Sequence, residues 1–148
     1  MEYAPIIIMV YDRLEHFKNL IDSLSSDPLS IYSNLYVISD APYKIEHSSK
    51  INEVREYAKT VTGFKNYKLI ENEKNMGANA SYQFILSLVF ERHDKVIFFE
   101  DDNLVSPNYL RYMNDAFLKY QDNADVVFVC GYNFPISIPE QYNYDVYF

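Results

Sequence analysis

The sequence predicts an α/β fold with a mainly parallel, twisted sheet and helices on both faces. Strand-like apolar runs alternate with helix-like amphipathic segments along nearly the whole chain, which is typical of a parallel sheet with crossover helices. The first strand-like run is continuously apolar, as expected for a strand that helices cover on both sides. The length of 148 residues suits a single domain.

The first strand and helix are predicted at residues 6–11 and 13–25. The strand sequence IIIMVY is uninterrupted by polar residues, so we expect it to be buried on both faces. Asp27 and Pro28 are predicted to end the helix. Its apolar face consists of residues at helical spacing: Leu14, Phe17, Ile21 and Leu24.

Two further short strands are predicted at residues 35–38 and 67–70, with a helix at 48–60 between them. Gly63 is predicted to mark the end of this helix, since glycine adopts the left-handed conformation found after many helices. The apolar face of the helix comprises Ile51, Val54, Ala58 and Val61.

A turn at residues 75–77 precedes a third predicted helix at 78–91 and a fourth strand at 96–99. The helix has few polar positions, so we expect it to be deeply packed. Its closely spaced apolar positions are Phe84, Ile85, Leu86, Leu88, Val89 and Phe90.

The fourth helix is predicted to begin at Ser106 as N-cap and Pro107 as first helical residue. Its apolar face would hold Leu110, Met113, Phe117 and Tyr120. The run VVFVC at residues 126–130 then predicts a fifth strand, which would bury Cys130, the single cysteine.

Composition excludes several classes of function. The net charge of −8 opposes nucleic-acid binding, which depends on neutralising phosphates. No apolar run approaches the ~20 residues of a membrane span, and the N-terminus does not resemble a signal peptide. The glycine fingerprints of dinucleotide-binding and P-loop proteins are absent from the sequence. We therefore expect a soluble, cytoplasmic protein that is neither a dehydrogenase nor an NTPase.

Polar side chains follow three of the predicted strands, at the point where each strand ends. Because ligands of open α/β sheets bind outside the carboxyl ends of the strands, these residues predict one site. They are Tyr11, Asp12 and Arg13 after the first strand, Asp40 after the second, and Glu100, Asp101 and Asp102 after the fourth.

The three consecutive carboxylates suggest a metal site. Alternation along an extended chain sends Glu100 and Asp102 one way and Asp101 the other, so at most two can face one ligand. Oxygen ligands favour Mg²⁺ or Mn²⁺. The alternative is a solvated loop that caps the following helix.

Each of the other candidates also has two interpretations. Asp40 is either an exposed turn residue or an acceptor for a base or ribose. Arg13 either pairs on the surface with Glu15 or Asp12, or neutralises phosphate. Gly77 either serves a plain turn or allows close approach of a ligand, in which case the turn adds backbone donors at the start of a helix.

Four segments together resemble the nucleotide-sugar half of GT-A-fold glycosyltransferases: residues 6–13, 37–40, 75–81 and 98–102. The sequence is similar to family-2-like enzymes and to the N-acetylglucosaminyltransferase I type over about residues 5–134. The resemblance implies a Rossmann-like domain that binds a nucleotide-diphosphate sugar, expected to be a UDP-sugar, with Mn²⁺ or Mg²⁺. It implies hexosyl or N-acetylhexosaminyl transfer to a saccharide or another hydroxyl acceptor.

The resemblance also implies a role for each matched residue. The triplet matches the D-x-D-type motif, so Asp102 is expected to bind the metal, and Asp101 and Glu100 to face the ribose and donor sugar. Asp40 matches the acid that contacts uracil. The other residues expected to contact the nucleotide sugar are Tyr11, Asp12 and Arg13 in the first loop, and Asn75 and Gly77 in the later turn.

Complete members of that family continue beyond the fifth strand with acceptor contacts and the catalytic base. Here residues 132–148 predict only an ordered loop or an incomplete element, and no motif marks Glu140 or Asp145 as a base. We therefore expect residues 1–148 to form one donor-binding domain truncated at its C-terminus. The apolar surface left where a second half would pack is expected to favour self-association of this domain into a homo-oligomer. The alternatives are a non-catalytic nucleotide-sugar-binding module and a sugar nucleotidyltransferase.

Overall fold

The computed structural model of the protein describes residues 2–132, and it has the predicted α/β architecture. The loop or incomplete element predicted for the C-terminal segment lies, from residue 133 onward, outside the described residues. No helix within residues 2–132 combines the length and apolarity that a membrane span requires. The strands are β1 (Ile6–Val10), β2 (Asn34–Ser39), β3 (Asn66–Glu71) and β4 (Ile97–Glu100). The helices are α1 (Leu14–Ser25), α2 (Ser48–Ala58), α3 (Ala78–Phe90) and α4 (Tyr109–Tyr120), with short 3₁₀ turns at Ser30–Tyr32 and Ile45–His47.

The four strands form one parallel sheet in the order β3-β2-β1-β4. Strand β1 lies inside the sheet, with Val10 opposite Ser39 of β2 and Met9 opposite Glu100 of β4. This register brings the carboxyl ends of β1, β2 and β4 to the same level. We call that side of the sheet the carboxyl edge.

Helices cover both faces of the sheet, as predicted. Helices α1, α2 and α4 pack on one face, where Phe17, Val54 and Leu110 join Ile6 and Ile8 in a continuous apolar core. Helix α3 packs on the opposite face in a smaller cluster formed by Ile7, Ile38, Ile85 and Val89. Adjacent isoleucines of β1 therefore point into different cores, which explains the uninterrupted apolar run.

The prediction that α3 is deeply packed was wrong. Its buried residues are Ser81, Ile85 and Val89, spaced one turn apart, whereas Phe84 and Phe90 are 43% and 49% exposed. The physical reason is that α3 touches the sheet along one stripe, and no second helix flanks it on that face among residues 2–132. Composition alone does not show how many neighbours a helix has.

The predicted fifth strand at 126–130 was also wrong. Among the described residues, this segment has no regular structure, and Val127 and Phe128 are 89% and 82% exposed. Cys130 is exposed and not part of the core. A β-prone sequence becomes a strand only when it pairs with a neighbour, and this run has no ladder to β4 here.

Helix α4 begins later than predicted. Asn108 adopts a left-handed conformation with φ of 67°, so the helical path cannot run from Pro107 into Tyr109. Ser106 therefore does not act as the N-cap. The start of the helix is capped instead by Asp27, which is distant in sequence and whose Oδ2 accepts from the backbone N–H of Leu110 at 3.1 Å.

The predicted end of the first helix is confirmed, because α1 ends at Ser25, ahead of Asp27. Asp27 is buried and caps the turn that follows by accepting from the Leu29 N–H at 2.9 Å. The predicted end of the second helix needs correction. Helix α2 ends at Ala58, and Gly63 lies beyond it with φ of 91°. That glycine serves the loop between α2 and β3 rather than the helix end.

Phe17→Ala should lower the free energy of unfolding by about 3–5 kcal/mol, because it empties a fully buried site in the larger core. Phe84→Ala makes the same chemical change on the exposed side of α3 and should change stability by less than about 1 kcal/mol. Urea unfolding followed by circular dichroism measures both. An equal loss for the two variants would contradict the packing described for α3.

Candidate functional site

The structure brings the predicted polar residues to the carboxyl edge in two clusters. The first joins the end of β1 to the end of β4 through Arg13, Asp101 and Asp102. The second joins the end of β2 to the turn at residues 75–77 through Asp40. Strand β1 pairs with both β2 and β4, so the clusters are neighbours across adjoining strands.

Arg13 forms a fork across two of the three carboxylates. Its Nη2 contacts Asp101 Oδ1, and its Nη1 lies 2.9 Å from Asp102 Oδ2. The two acids differ in environment, since the side chain of Asp101 is 3% exposed and that of Asp102 is 39% exposed. Asp101 is buried while Glu100 and Asp102 are exposed, which agrees with the predicted alternation. Residues 101–102 nevertheless form a turn and not an extended chain, so Asp101 and Asp102 both reach the Arg13 guanidinium.

Burial and ion pairing act in opposite directions on Asp101. Burial raises the pKa of its carboxyl above the usual range, and the hydrogen bond and charge of Arg13 partly offset that effect. The pKa of Arg13 is raised, mainly by its hydrogen bond to Asp101. Arg13 therefore stays charged, and it is the group that keeps a buried carboxylate tolerable.

Asp40 is buried, which excludes the exposed-turn interpretation. Its Oδ2 accepts from the Gly77 N–H at 2.8 Å and from Asn75 Nδ2 at 3.1 Å, and its Oδ1 accepts from Asn72 Nδ2 at 3.0 Å. The Met76 N–H lies within 3.1 Å of both oxygens. One carboxylate thus holds the whole 75–77 turn against the end of β2.

Gly77 occupies a backbone conformation that requires glycine. Its φ is 77°, and a Cβ atom there would meet nothing within 4 Å, so the constraint is the backbone angle rather than a lack of space. The N–H groups of Met76 and Gly77 point at Asp40. In one interpretation of the sequence, these two N–H groups donate to a phosphate. In the structure both donate to the Asp40 carboxylate instead.

Tyr11 connects the end of β1 to the loop after β2. Its hydroxyl accepts from the Tyr43 N–H at 2.9 Å and lies 2.8 Å from His47 Nδ1. Because the hydroxyl accepts from the backbone, it can donate its own proton to the histidine nitrogen. Asp12, which follows Tyr11 in the loop after β1, is half-buried.

Arg55 is a residue of this site that the sequence analysis missed. Its Nη2 donates to the carbonyl oxygens of Ser39, Asp40 and Asn72 at 3.0–3.2 Å, and its Nε donates to Ser39 Oγ at 3.0 Å. Nη1 lies 3.5 Å from Glu71. The guanidinium therefore fastens the ends of β2 and β3 together, directly beneath Asp40.

A signal for Arg55 was present in the sequence. It lies four residues after Ile51 and next to Val54, on the predicted buried face of α2. A cation beside a buried face needs several acceptors, and strand-end carbonyls are the acceptors that a parallel sheet provides. Asn72 gave no such signal, because its contacts with Asp40 and Ser81 depend on the folded loop.

The donor set is compatible with a hard cation that takes most of its ligands from elsewhere. Within residues 2–132 no group of three or more His, Cys, Asp or Glu side chains could hold a metal ion. Asp102 and Glu100 nevertheless offer exposed oxygen atoms at the carboxyl edge. One or two carboxylates are what Mg²⁺ sites use when substrate phosphates and water complete the coordination.

Two surface clefts of ≈ 640 and ≈ 540 Å³ lie at the opposite side of the sheet. Both are lined by Glu2, Arg92 and His93, near the amino ends of the strands. They are remote from the predicted residues, so volume does not identify the candidate site here. The convergence of charged and polar side chains at the carboxyl edge does.

Comparison with known proteins supports the fold. The sequence matches no family profile and no curated protein. Two solved structures of TarS from S. aureus, a GT-A-type glycosyltransferase, resemble this chain. The first has a TM-score of 0.57 at 14% identity and covers 80% of this chain and 20% of TarS. The second, TarS 1–349, has a TM-score of 0.57 at 15% identity and covers 80% of this chain and 33% of its own.

The chain therefore has a glycosyltransferase-like α/β fold. Identities of 14% and 15% establish the fold alone. The chain spans a third or less of the length of either TarS structure, so the activity of the whole of TarS does not transfer to it on this evidence.

Arg55→Gln should lower the free energy of unfolding by about 1.5–3 kcal/mol, because charged hydrogen bonds to three strand-end carbonyls are lost. Arg111→Gln removes the same charge from an exposed position on α4 and should change stability by less than about 0.5 kcal/mol. Urea denaturation gives both values. Equal stability of the two variants would show that the strand ends do not depend on Arg55.

Proposed function

We propose that this chain is a metal-dependent glycosyltransferase domain that binds a nucleotide-diphosphate sugar, a UDP-sugar, for transfer to a hydroxyl acceptor. The observation that carries the proposal is the pair of clusters at the carboxyl edge. In one cluster the Arg13 guanidinium pairs with Asp101 and Asp102, and in the other the buried Asp40 holds the turn at 75–77. The fold that carries both clusters resembles that of a glycosyltransferase. This combination suits a ligand with a diphosphate at one end and a hydrogen-bonding base at the other.

In this proposal the first cluster serves the diphosphate and the donor sugar. Arg13 is half-exposed and supplies positive charge to phosphate oxygens. Asp102 would hold Mn²⁺ or Mg²⁺, which when bound supplies Lewis acidity to the leaving diphosphate. Asp101 fixes Arg13 from the buried side. In this proposal Glu100 and Asp101 would contact the ribose and donor sugar.

The second cluster serves the nucleoside. Asp40 shapes the uridine end of the site by holding Asn75 and Gly77 in place. Tyr11 and Asp12, in the loop after β1, would contact the nucleotide, and Tyr11 fixes that loop to the segment at 43–47. An acceptor hydroxyl attacks the anomeric carbon after losing its proton to a base, and none of the residues above is assigned that role.

Asp102→Asn should remove most of the effect of Mn²⁺ on binding of a UDP-sugar, since the substitution takes away a charged oxygen ligand. Asp94→Asn is the matched control, an exposed acid that precedes β4 at the amino side of the sheet. Titration calorimetry with Mn²⁺ and with EDTA measures the dependence. Equal affinity of the unaltered chain in the two conditions would exclude the metal role.

The same proteins can be assayed for release of UDP from a UDP-sugar with a panel of acceptors. Release that depends on both Mn²⁺ and Asp102 supports a transferase. Metal-dependent binding of the UDP-sugar, without release of UDP in the presence of any acceptor, would instead identify a nucleotide-sugar-binding module.

Asp40→Ala should weaken UDP binding by about 1–3 kcal/mol, the cost of removing a buried hydrogen-bonding group, while leaving the Mn²⁺ dependence intact. Comparing UDP with CDP shows whether Asp40 contacts the base directly or acts through the 75–77 turn. Uracil carries an N3–H donor that cytosine lacks, so loss of the preference for UDP indicates a direct contact between Asp40 and the base. An equal loss for both nucleotides indicates that Asp40 acts through the 75–77 turn, and no loss for either would exclude Asp40 from the site.

A further inference from the structure

We propose that Arg13 is a displaceable counter-ion, which occupies Asp102 in the free chain and moves to the diphosphate when a nucleotide binds. The inference rests on the proposed function and adds an order of events to it. Asp102 becomes available to a divalent cation when the outer arm of the Arg13 guanidinium turns away from it. Cation and nucleotide binding are then linked through one side chain of the protein as well as through their direct contact.

The two arms of the Arg13 fork are unequal, which is what an exchange requires. One arm contacts the buried Asp101, and the other reaches Asp102, whose side chain is 39% exposed. Arg13 itself is 46% exposed, so nothing encloses the outer arm. The inner contact can hold the guanidinium in place while the outer one changes partner.

The backbone of Arg13 does not need to move during the exchange. Its carbonyl oxygen accepts from the Phe17 N–H at 3.1 Å in the first turn of α1, and Phe17 is fully buried in the larger core. The movement is therefore confined to a flexible side chain. Such changes at exposed residues take place in picoseconds to nanoseconds, so they would not limit the rate of binding.

The relative strengths of the contacts favour the exchange. An exposed ion pair contributes less than roughly a fivefold change in an equilibrium constant, so the contact with Asp102 is readily given up. A diphosphate offers the outer arm charged oxygens, and charge-assisted hydrogen bonds of this kind are roughly twice as strong as neutral ones. Without a nucleotide, an approaching cation meets a positive group 2.9 Å from Asp102 Oδ2.

The exchange predicts effects of opposite sign in Arg13→Gln. Mn²⁺ affinity in the absence of nucleotide should rise about three- to tenfold, because a competing positive charge is removed. UDP affinity in EDTA should fall about tenfold or more, because the phosphate loses its cationic partner. Electron paramagnetic resonance of free Mn²⁺ measures the first quantity, and titration calorimetry measures the second.

Lys18→Gln is the matched control for long-range charge. It removes one positive charge from the same helix at a residue paired with Glu15, outside the site. It should change neither affinity by more than about twofold. Arg13→Lys keeps the charge without the planar fork, so Mn²⁺ affinity should stay near that of the unaltered chain. Circular dichroism establishes that each variant is folded.

The outcomes separate this inference from the proposed function. If Arg13→Gln weakens both ligands, Arg13 acts as a structural support and the exchange is wrong. If it changes neither affinity, Arg13 is a surface residue and the exchange is again wrong. If the unaltered chain binds no UDP with Mn²⁺ present, the proposed function fails and the exchange fails with it. Opposite shifts in Arg13→Gln, absent in Lys18→Gln, support the exchange.

Discussion

The pairing of β1 with a parallel neighbour on each side is the constraint on which the rest of the structure depends. Because Met9 lies opposite both Ile38 and Glu100, the residues that follow β1, β2 and β4 emerge at one level. The continuous apolar sequence of β1 makes this possible, since a strand buried on both faces tolerates no polar position. The polar and charged side chains of the loop after β1 therefore lie at the carboxyl edge, where the apolar run stops.

Charged groups at that edge stay ordered because the chain supplies partners for them. Asp40, Asn72 and Ser81 are buried and joined in one network, and Arg55 satisfies the carbonyls beneath it. No buried side-chain nitrogen or oxygen lacks a hydrogen bond among the residues that the structure describes. A carboxylate that is already fully coordinated can fix a turn, but it has little capacity left for a further donor.

The fold class could be predicted from the sequence, and so could the meeting of the candidate-site residues at one edge, because both follow from periodicity and strand ends. The four strands, the four helices and the burial of Asp101 between exposed Glu100 and Asp102 agree with the predictions. The fifth strand and the buried Cys130 were not predicted correctly, since a strand exists only where a neighbour pairs with it. Arg55 lay on the predicted buried face of α2, but its partner Asn72 could not be predicted. The start of α4 likewise depends on a contact between distant segments, Asp27 with Leu110, which local patterns do not encode.

Helix α1 and the residues that flank it hold the loop at 101–108 at three points. Arg13 holds the start of the loop, Ser23 Oγ accepts from the Val105 N–H at 3.4 Å, and Asp27 accepts from Leu110 just beyond it. A loop attached at successive points has few conformations to lose when a ligand arrives. Its ordering cost is met during folding, so more of the contact energy at the carboxyl edge remains as binding affinity.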